Sequence, residues 1–323
     1  MEQILKHIKE SRRILVASHA EPDGDCLGSL VALGLALSKL DKIITMLNPS
    51  PIPAVYRFLP GVERIVSQIK EATAYDMAII LDCGDIVRVG ENSSIVDRIA
   101  LVVNIDHHVS NTRFGHLQLI DTDACATAEI VYRLINALEI PFDKAIATSI
   151  YLGILTDTGS FRFSNTNPAA FAISKAMTDI GVEPHAVAQR VFGTYSLGRI
   201  KLLNMALNSI EISDNGKLSL MTISRSMLNA TGTSTEDIDG LINYARRIED
   251  VKVAALIHEI KNGAGKFTNM NRYHVSLRSD NTVDVAKIAA KFGGGGHTSA
   301  AGFKIESTLV ALKEKIIELA DDL

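Results

Sequence analysis

The sequence predicts an α/β protein, with a doubly wound, mostly parallel sheet followed by a second, smaller α/β domain. Three observations predict it. Short continuous apolar runs alternate with longer runs of helical period through the first half. Clusters of Asp and His directly follow several of these apolar elements. Past residues 195–212 the rhythm changes to paired strands, a glycine run and a closing amphipathic helix.

Taken in order, Ile14-Leu15-Val16-Ala17 reads as a buried strand, Cys26 to Leu40 as a helix and Ile43 to Leu47 as the next strand, broken by Asn48-Pro49-Ser50-Pro51. Ala78 to Leu81 and Leu101 to Ile105 are two more strands, continuous in apolar residues as in a parallel sheet buried on both faces. Helices follow at about Ala126 to Leu138, Asp143 to Leu155, Asn167 to Ile180, Pro184 to Phe192 and Leu197 to Ile210, the last connecting the two halves. In the second half, Leu218 to Ile223 is a strand, and Ser234 starts a helix that runs to about Arg247. Val251 to Ile260 and Tyr273 to Leu277 are strands around a turn at residues 262–265. Val283 to Phe292 is a helix, Gly293 to Gly296 a glycine run, and Leu309 to Leu323 a helix. The expected division is residues 1–195, a helical connector at 196–212, and residues 213–323.

Bulk properties narrow the function. With 323 residues the chain suits two cores rather than one. Hydrophobic residues at 47% and charged residues at 22% argue against global disorder. A net charge of −4 does not suit a protein that coats long double-stranded nucleic acid. No apolar run reaches membrane-spanning length, and Met1 to Lys6 lacks a signal-peptide stretch, so a cytoplasmic location away from membranes is expected. Cys26, Cys83 and Cys125 fit neither a disulfide framework nor a zinc knuckle and read as small buried thiols.

Chemistry is concentrated where the elements end. His19, Asp23 and Asp25 follow the first strand, Asp82 follows Ala78–Leu81, Asp106-His107-His108 follow Leu101–Ile105, and Asp157 follows a helix. In an open parallel sheet the carboxyl ends of the strands share one edge, where ligands bind. Four segments remote in sequence can therefore converge on one crevice. Packed together, Asp23, Asp25, Asp82 and Asp157 would repel one another or hold protons, a problem that divalent cations remove. Two cations need a bridging carboxylate, and Asp82 is the natural candidate. Oxygen ligands with a few imidazoles suit Mn²⁺, with Mg²⁺ or Co²⁺ as alternatives. Two such ions, roughly 3.5–4 Å apart, would clamp a phosphoryl group and activate water for in-line attack. Singly, each piece has a plainer reading: turn residues in the first loop, a cap at Asp82, structural histidines.

In this order the residues resemble the DHH phosphoesterase superfamily, and Gly294-Gly295-Gly296-His297 with Ala300-Ala301-Gly302 resembles the DHHA1 domain that follows it. The size and layout resemble the branch of nanoRNases and phosphatases of 3′-phosphoadenosine 5′-phosphate (pAp). The resemblance implies that His19 and Asp23 hold one Mn²⁺, that Asp25, His107 and Asp157 hold the other, and that Asp82 bridges. It implies that His108 faces the scissile phosphate and that Asp106 orients neighbouring groups. In the second domain it implies a substrate grip by Arg278, the backbone of Gly294, Gly295 and Gly296, and His297, with that domain lying across a cleft and acting as a ruler for short substrates. Arg113, Arg162 and Arg272 could add phosphate contacts but read as solvated surface residues.

The expected reaction is metal-dependent hydrolysis of short nucleotides: di- to penta-nucleotide RNA, pApA and pAp. A phosphodiesterase specific for pApA or cyclic di-AMP is the alternative. A processive exonuclease needs further nucleic-acid-binding modules, and a family II inorganic pyrophosphatase lacks the glycine-histidine loop. A non-catalytic nucleotide-binding module would be expected to lose metal ligands, and all are present. The oligomeric state stays open, a homodimer included.

Overall fold

The computed structural model describes residues 1–193, 195–260, 270–280, 282–296 and 298–323. The turn expected at residues 262–265 lies outside the described residues. Contacts between backbone positions divide the chain into two compact units, Met1–Thr194 and Tyr195–Leu323.

The first unit is built on six strands: β1 (Arg13–Ser18), β2 (Ile43–Leu47), β3 (Ile65–Val66), β4 (Met77–Leu81), β5 (Val102–Asp106) and β6 (Leu117–Ile120). They lie in the order β3-β2-β1-β4-β5-β6, and every pair is parallel. Strand order therefore reverses between β1 and β4, the point where a crevice opens outside the carboxyl ends of a doubly wound sheet. Alternate residues feed two separate cores. Ile14, Val16, Ile79, Leu81, Val103 and Ile105 pack on one face, and Leu15, Ala17, Ala78, Ile80 and Val102 on the other. That two-faced burial is why these strands are continuous apolar runs.

The helices of this unit are α1 (Glu2–Glu10), α2 (Gly24–Ser38), α3 (Ser93–Val96), α4 (Thr127–Ala137), α5 (Lys144–Asp157), α6 (Pro168–Asp179) and α7 (Pro184–Phe192). Helix α2 carries Leu27, Leu30, Val31 and Leu37 into the core shared with α4 and α5. It starts two residues earlier than expected because Asp23 caps it, its Oδ1 accepting the Cys26 N–H at 2.9 Å. Asp25 thus lies in the first helical turn rather than in a loop. Close approach of α5 to α2 needs Gly153: a Cβ there would lie 2.7 Å from the Asp25 Oδ1 and 2.6 Å from the Ala128 Cβ.

The second unit holds β7 (Glu211–Ile212), β8 (Leu218–Ile223), β9 (Val253–Ile260), β10 (Asn271–Ser279), β11 (Gly295–Gly296) and β12 (Ala300–Ser307), in the order β11-β12-β10-β9-β8-β7. Only β8 and β9 run parallel; the other pairs are antiparallel. Its helices are α8 (Leu197–Asn208), α9 (Arg225–Thr231), α10 (Ile242–Arg246), α11 (Val285–Ala290) and α12 (Leu309–Ile317). Leu202 and Ala206 of α8 are buried with Met221, Ile223 and Leu256, so this helix belongs to the core of the second unit.

Three expectations need correction here. The helix expected from Ser234 to Arg247 is two pieces, a 3-10 turn at Thr235–Ile238 and α10, because Gly240 takes a left-handed conformation (φ +77°) between them. The closing helix ends at Ile317 and continues as a 3-10 turn, Glu318–Asp322. Residues 300–307, read from sequence only as following the glycine run, form β12, which pairs with β10 along eight residues.

Candidate metal centre

Four strand and helix ends bring the predicted residues of the first unit together. His19 follows β1, Asp82 follows β4, Asp106 closes β5 with His107 and His108 after it, and Asp157 closes α5. Three groups of side chains have ligand atoms within 4.8 Å of one another: His19 with Asp23 and Asp82, Asp25 with His107 and Asp157, and Asp82 with His107 and His108. Asp82 is common to two of these groups and His107 to two, so the site is one continuous cluster.

Asp82 stands at its centre. It is 2% exposed and holds a left-handed backbone conformation (φ +57°), which Asp tolerates better than most residues. Its N–H donates to the Ile105 carbonyl at 3.0 Å, and its Oδ1 accepts the Thr127 hydroxyl at 2.9 Å. Its Oδ2 lies 3.4 Å from His19 Nε2, and its Oδ1 lies 3.6 Å from His108 Nδ1 and 3.8 Å from His107 Nε2. Asp25, 1% exposed, accepts the backbone N–H groups of Thr127 at 2.6 Å and Ala128 at 2.9 Å, so it sits on the N-terminus of α4. The Ser29 hydroxyl donates to it as well, at 3.1 Å.

The histidines are oriented by backbone carbonyls. His19 Nδ1 lies 2.8 Å from the Ala20 carbonyl and His107 Nδ1 lies 3.3 Å from that of Ala124. A carbonyl can only accept, so each ring donates from Nδ1 and turns Nε2 toward the carboxylates, His19 toward Asp82 and His107 toward Asp82 and Asp157; a cation bound there would take the place of the Nε2 proton. His108 is held differently. Its Nδ1 donates to Asp106 Oδ1 at 2.5 Å, and Asp106, fully buried, also accepts the His107 N–H at 2.9 Å and the Asn111 amide.

These carboxylates shift one another. Burial pushes Asp25 well above the usual carboxylate range, and the negative charges of Asp82 and Asp157 add to it. Burial likewise raises Asp157, to about 7, with Asp23 and Asp82 adding and His107 opposing. Asp82 is the exception: burial acts against its charge, but hydrogen bonding by His19 and the imidazole charges around it hold it well below the usual range. His107 is raised to about 9: burial disfavours its charge, but Asp157, Asp82 and Asp25 outweigh it. Without cations the cluster must therefore keep extra protons. Buried oxygen donors with neutral imidazole nitrogens suit divalent cations, which would displace those protons.

The second unit holds the other predicted residues. Arg278 lies near the end of β10, its Nη1 donating to the Leu277 carbonyl at 3.0 Å. Burial lowers its pKa, with Asp239 acting against that shift and Arg246 adding to it. Among the described residues no carboxylate pairs with it at ion-pair distance. Gly293 and Gly294 donate their N–H groups to the Ala290 and Ala289 carbonyls, closing α11. Gly295 and Gly296 pair with Gly302 and Ala301 of β12, beside the strand that carries Arg278. His297 lies outside the described residues.

Sequence reasoning missed the supporting polar residues. Thr127 holds Asp82, Asn111 holds Asp106, and Asn165 donates to Asp157 Oδ2 at 3.0 Å. No local pattern marks them; the Thr127–Asp82 contact spans 45 positions.

The DHH family, N-terminal domain, matches residues 13–154, and the DHHA1 domain matches residues 221–323. The bifunctional oligoribonuclease and PAP phosphatase NrnA of Thermus thermophilus is 32% identical over 308 residues, which cover 94% of this chain and 88% of that protein. The protein of the same description from Bacillus subtilis is 24% identical over 311 residues, covering 94% and 93%. The crystal structure of an exopolyphosphatase-related protein from Bacteroides fragilis superposes with a TM-score of 0.89 at 25% identity, over 98% of this chain and 95% of that one.

Proposed function

This chain belongs to the DHH family and is a metal-dependent phosphoesterase, and from that premise we propose that it hydrolyses phosphate esters in short nucleotides, acting both as an oligoribonuclease and as a phosphatase of pAp. The observation that carries the proposal is the set of three donor groups linked through Asp82 and His107. The relatives from Thermus thermophilus and Bacillus subtilis, described as bifunctional oligoribonuclease and PAP phosphatase, support the substrate class.

His19 and Asp23 would hold one divalent cation, and Asp25, His107 and Asp157 a second, with Asp82 between them. Carboxylate oxygens mixed with imidazole nitrogens and no thiolate favour Mn²⁺ over zinc. Bound cations would neutralise the carboxylates, draw charge from the phosphoryl oxygens and lower the pKa of water at the site.

The chain's own residues supply the rest. Thr127 and the α4 N-terminus fix Asp82 and Asp25, so that little reorganisation is needed when substrate arrives. Asp106 accepts from His108 Nδ1 and so fixes the ring, leaving Nε2 as the nitrogen that can face a substrate. His108 is then the group to give a proton to the departing ester oxygen as water attacks phosphorus and the P–O bond breaks. Arg278 would take a substrate phosphate through its planar fork.

A substrate panel tests this reading. Purified chain with Mn²⁺ is offered pAp, pApA, cyclic di-AMP and RNAs of increasing length, and kcat/KM is compared. Turnover of pAp and of the shortest RNAs, abolished by a chelator, is expected. Turnover of cyclic di-AMP alone, or of none, would overturn it.

A further inference from the structure

Beyond Asp157 the chain does something unusual. Gly159, Ser160 and Phe161 are all left-handed (φ +56°, +61° and +63°), so two residues with side chains adopt a conformation that side chains disfavour. The turn is held tightly. Ser160 N–H donates to the Leu155 carbonyl at 2.8 Å, and both Arg162 and Phe163 N–H groups donate to the Thr158 carbonyl, at 2.9 and 3.0 Å. Phe161 N–H donates to the Thr158 hydroxyl at 3.1 Å, and its ring stacks on Phe171 at 5.2 Å. The segment then returns to its origin: the Asn165 amide donates to the Asp157 carboxylate at 3.0 Å, to the Asp157 carbonyl at 3.1 Å and to the Cys125 carbonyl at 2.8 Å.

This turn presents two side chains. The Phe163 ring lies against Gly159, where a Cβ would be 2.4–2.6 Å from its outer carbons, yet the residue is 45% exposed. Arg162 is exposed, and its Nε is tied to the Gly159 carbonyl at 2.6 Å, which fixes the guanidinium plane. Gly159 is two peptide units from Asp157, so the ring stands over backbone within about 7.6 Å of that residue's Cα. An exposed aromatic face and a fixed cation, side by side at the rim of an acidic cluster, are the two elements that grip a nucleotide: a platform for the base and a charge for a phosphate. The ring packs on Gly159 and leaves nearly half of the residue to solvent, and the anchored guanidinium of Arg162 precedes it in the chain.

We propose that the left-handed turn Gly159–Phe161 builds a nucleobase platform, with Phe163 stacking on the base of the bound nucleotide and Arg162 holding a neighbouring phosphate. The inference rests on the proposed substrate class and deepens it, because it makes the nucleotide's base, and not only its phosphate, a determinant of binding. Both side chains act in binding and positioning; neither touches the reacting atoms.

The chain contains no tryptophan, which gives a direct probe. In Phe163→Trp, loaded with Mg²⁺, the introduced indole is expected to lose fluorescence on addition of 5′-AMP but not of ribose 5-phosphate at equal occupancy, measured by calorimetry. Equal responses to the two ligands, or none to either when calorimetry shows both bound, would overturn the platform. Kinetics supply the second arm. Phe163→Leu should raise KM for pAp about tenfold more than KM for ribose 3,5-bisphosphate, since stacking on one aromatic ring accounts for about five- to hundredfold in binding. Phe163→Trp should restore KM for pAp. Arg162→Gln should raise KM for both compounds by a similar factor. A loss in Phe163→Leu that is the same with and without the base would mark the ring as structural only. Should the wild-type chain turn over no nucleotide at all, the proposed function fails, and the fluorescence arm still decides the platform.

Discussion

In the first unit, buried carboxylates crowd together until Asp25 and Asp157 rise out of the normal carboxylate range. In the second, burial disfavours the charge of the half-buried Arg278; Asp239 favours that charge and Arg246 opposes it, and no carboxylate among the described residues lies at ion-pair distance. The two units thus carry opposite electrostatic problems. A cluster of anions is relieved by cations, and a desolvated guanidinium by an anion. The comparison separates two kinds of defect: damage to the first unit should abolish chemistry, and damage to the second should weaken binding.

The largest effect should come from Asp82→Ala. Loss of the carboxylate common to two donor clusters should lower kcat/KM by about a thousandfold or more on every substrate. It should also remove the rise in melting temperature that Mn²⁺ gives the wild type; at a hundred times Kd that rise corresponds to about 2.7 kcal/mol. Near-normal turnover of any substrate would break the distinction between the units. Next comes Arg278→Ala. A hydrogen-bonded charge of this kind contributes about 1.5–3 kcal/mol, so KM should rise by about ten- to hundredfold with kcat changed much less. Arg278→Lys should recover part of it, because the charge survives but the fork does not. A fall in kcat with KM unchanged would place Arg278 in the chemistry instead. Smaller again is Thr127→Val, which removes the hydroxyl on Asp82 at constant shape. Mn²⁺ affinity, read by titration, should fall about tenfold, as is usual for a residue that orients a ligand from behind. Unchanged affinity would mean that Asp82 keeps its place without help.

The ranking follows what could be read from the sequence. His19, Asp82 and His107 stand beyond continuous apolar runs whose burial on both faces is enforced by a parallel sheet, so their convergence was legible from pattern alone. Asp25 and Asp157 were legible as types but not as positions: each is inside a helix, one because Asp23 caps earlier than expected, one because α5 runs on to Asp157 itself. Strands β3 and β6 escaped notice. One is two residues long, and the other is an edge strand only partly buried, with Gln118 exposed. Both lack the apolar run that marks an interior strand. Thr127, Asn111 and Asn165 were invisible because their partners are fixed by the fold and not by neighbouring sequence. The turn at Ser160 and Phe161 was invisible for a related reason: neither residue type signals a left-handed backbone.

The smallest predicted effect concerns stability without metal, and it follows from the direction of the shifts. Asp157 is raised to about 7 in the folded chain and unfolds to an ordinary carboxylate. The folded state therefore holds a proton that the unfolded state releases, and stability falls as pH rises from about 4 through 7. His107, raised to about 9, adds stability that is complete below its unfolded value near 6.5 and is lost as pH climbs through about 9. Asp82, held low, has an effect that is constant above about pH 5 and does not oppose the trend. The chelated chain should thus melt several degrees lower at pH 9 than at pH 6. Saturating Mn²⁺ should flatten that slope, because cations replace the protons. Asp157→Asn should flatten it in part without any metal, by removing its own contribution between about pH 4 and 7 and one of the charges that raise His107, while Asp25 and the remaining rise of His107 keep part of the slope. A chelated chain whose melting temperature is level or rises across this range would mean that the carboxylates of the first unit are not in conflict, and the contrast with Arg278 would lose its physical basis.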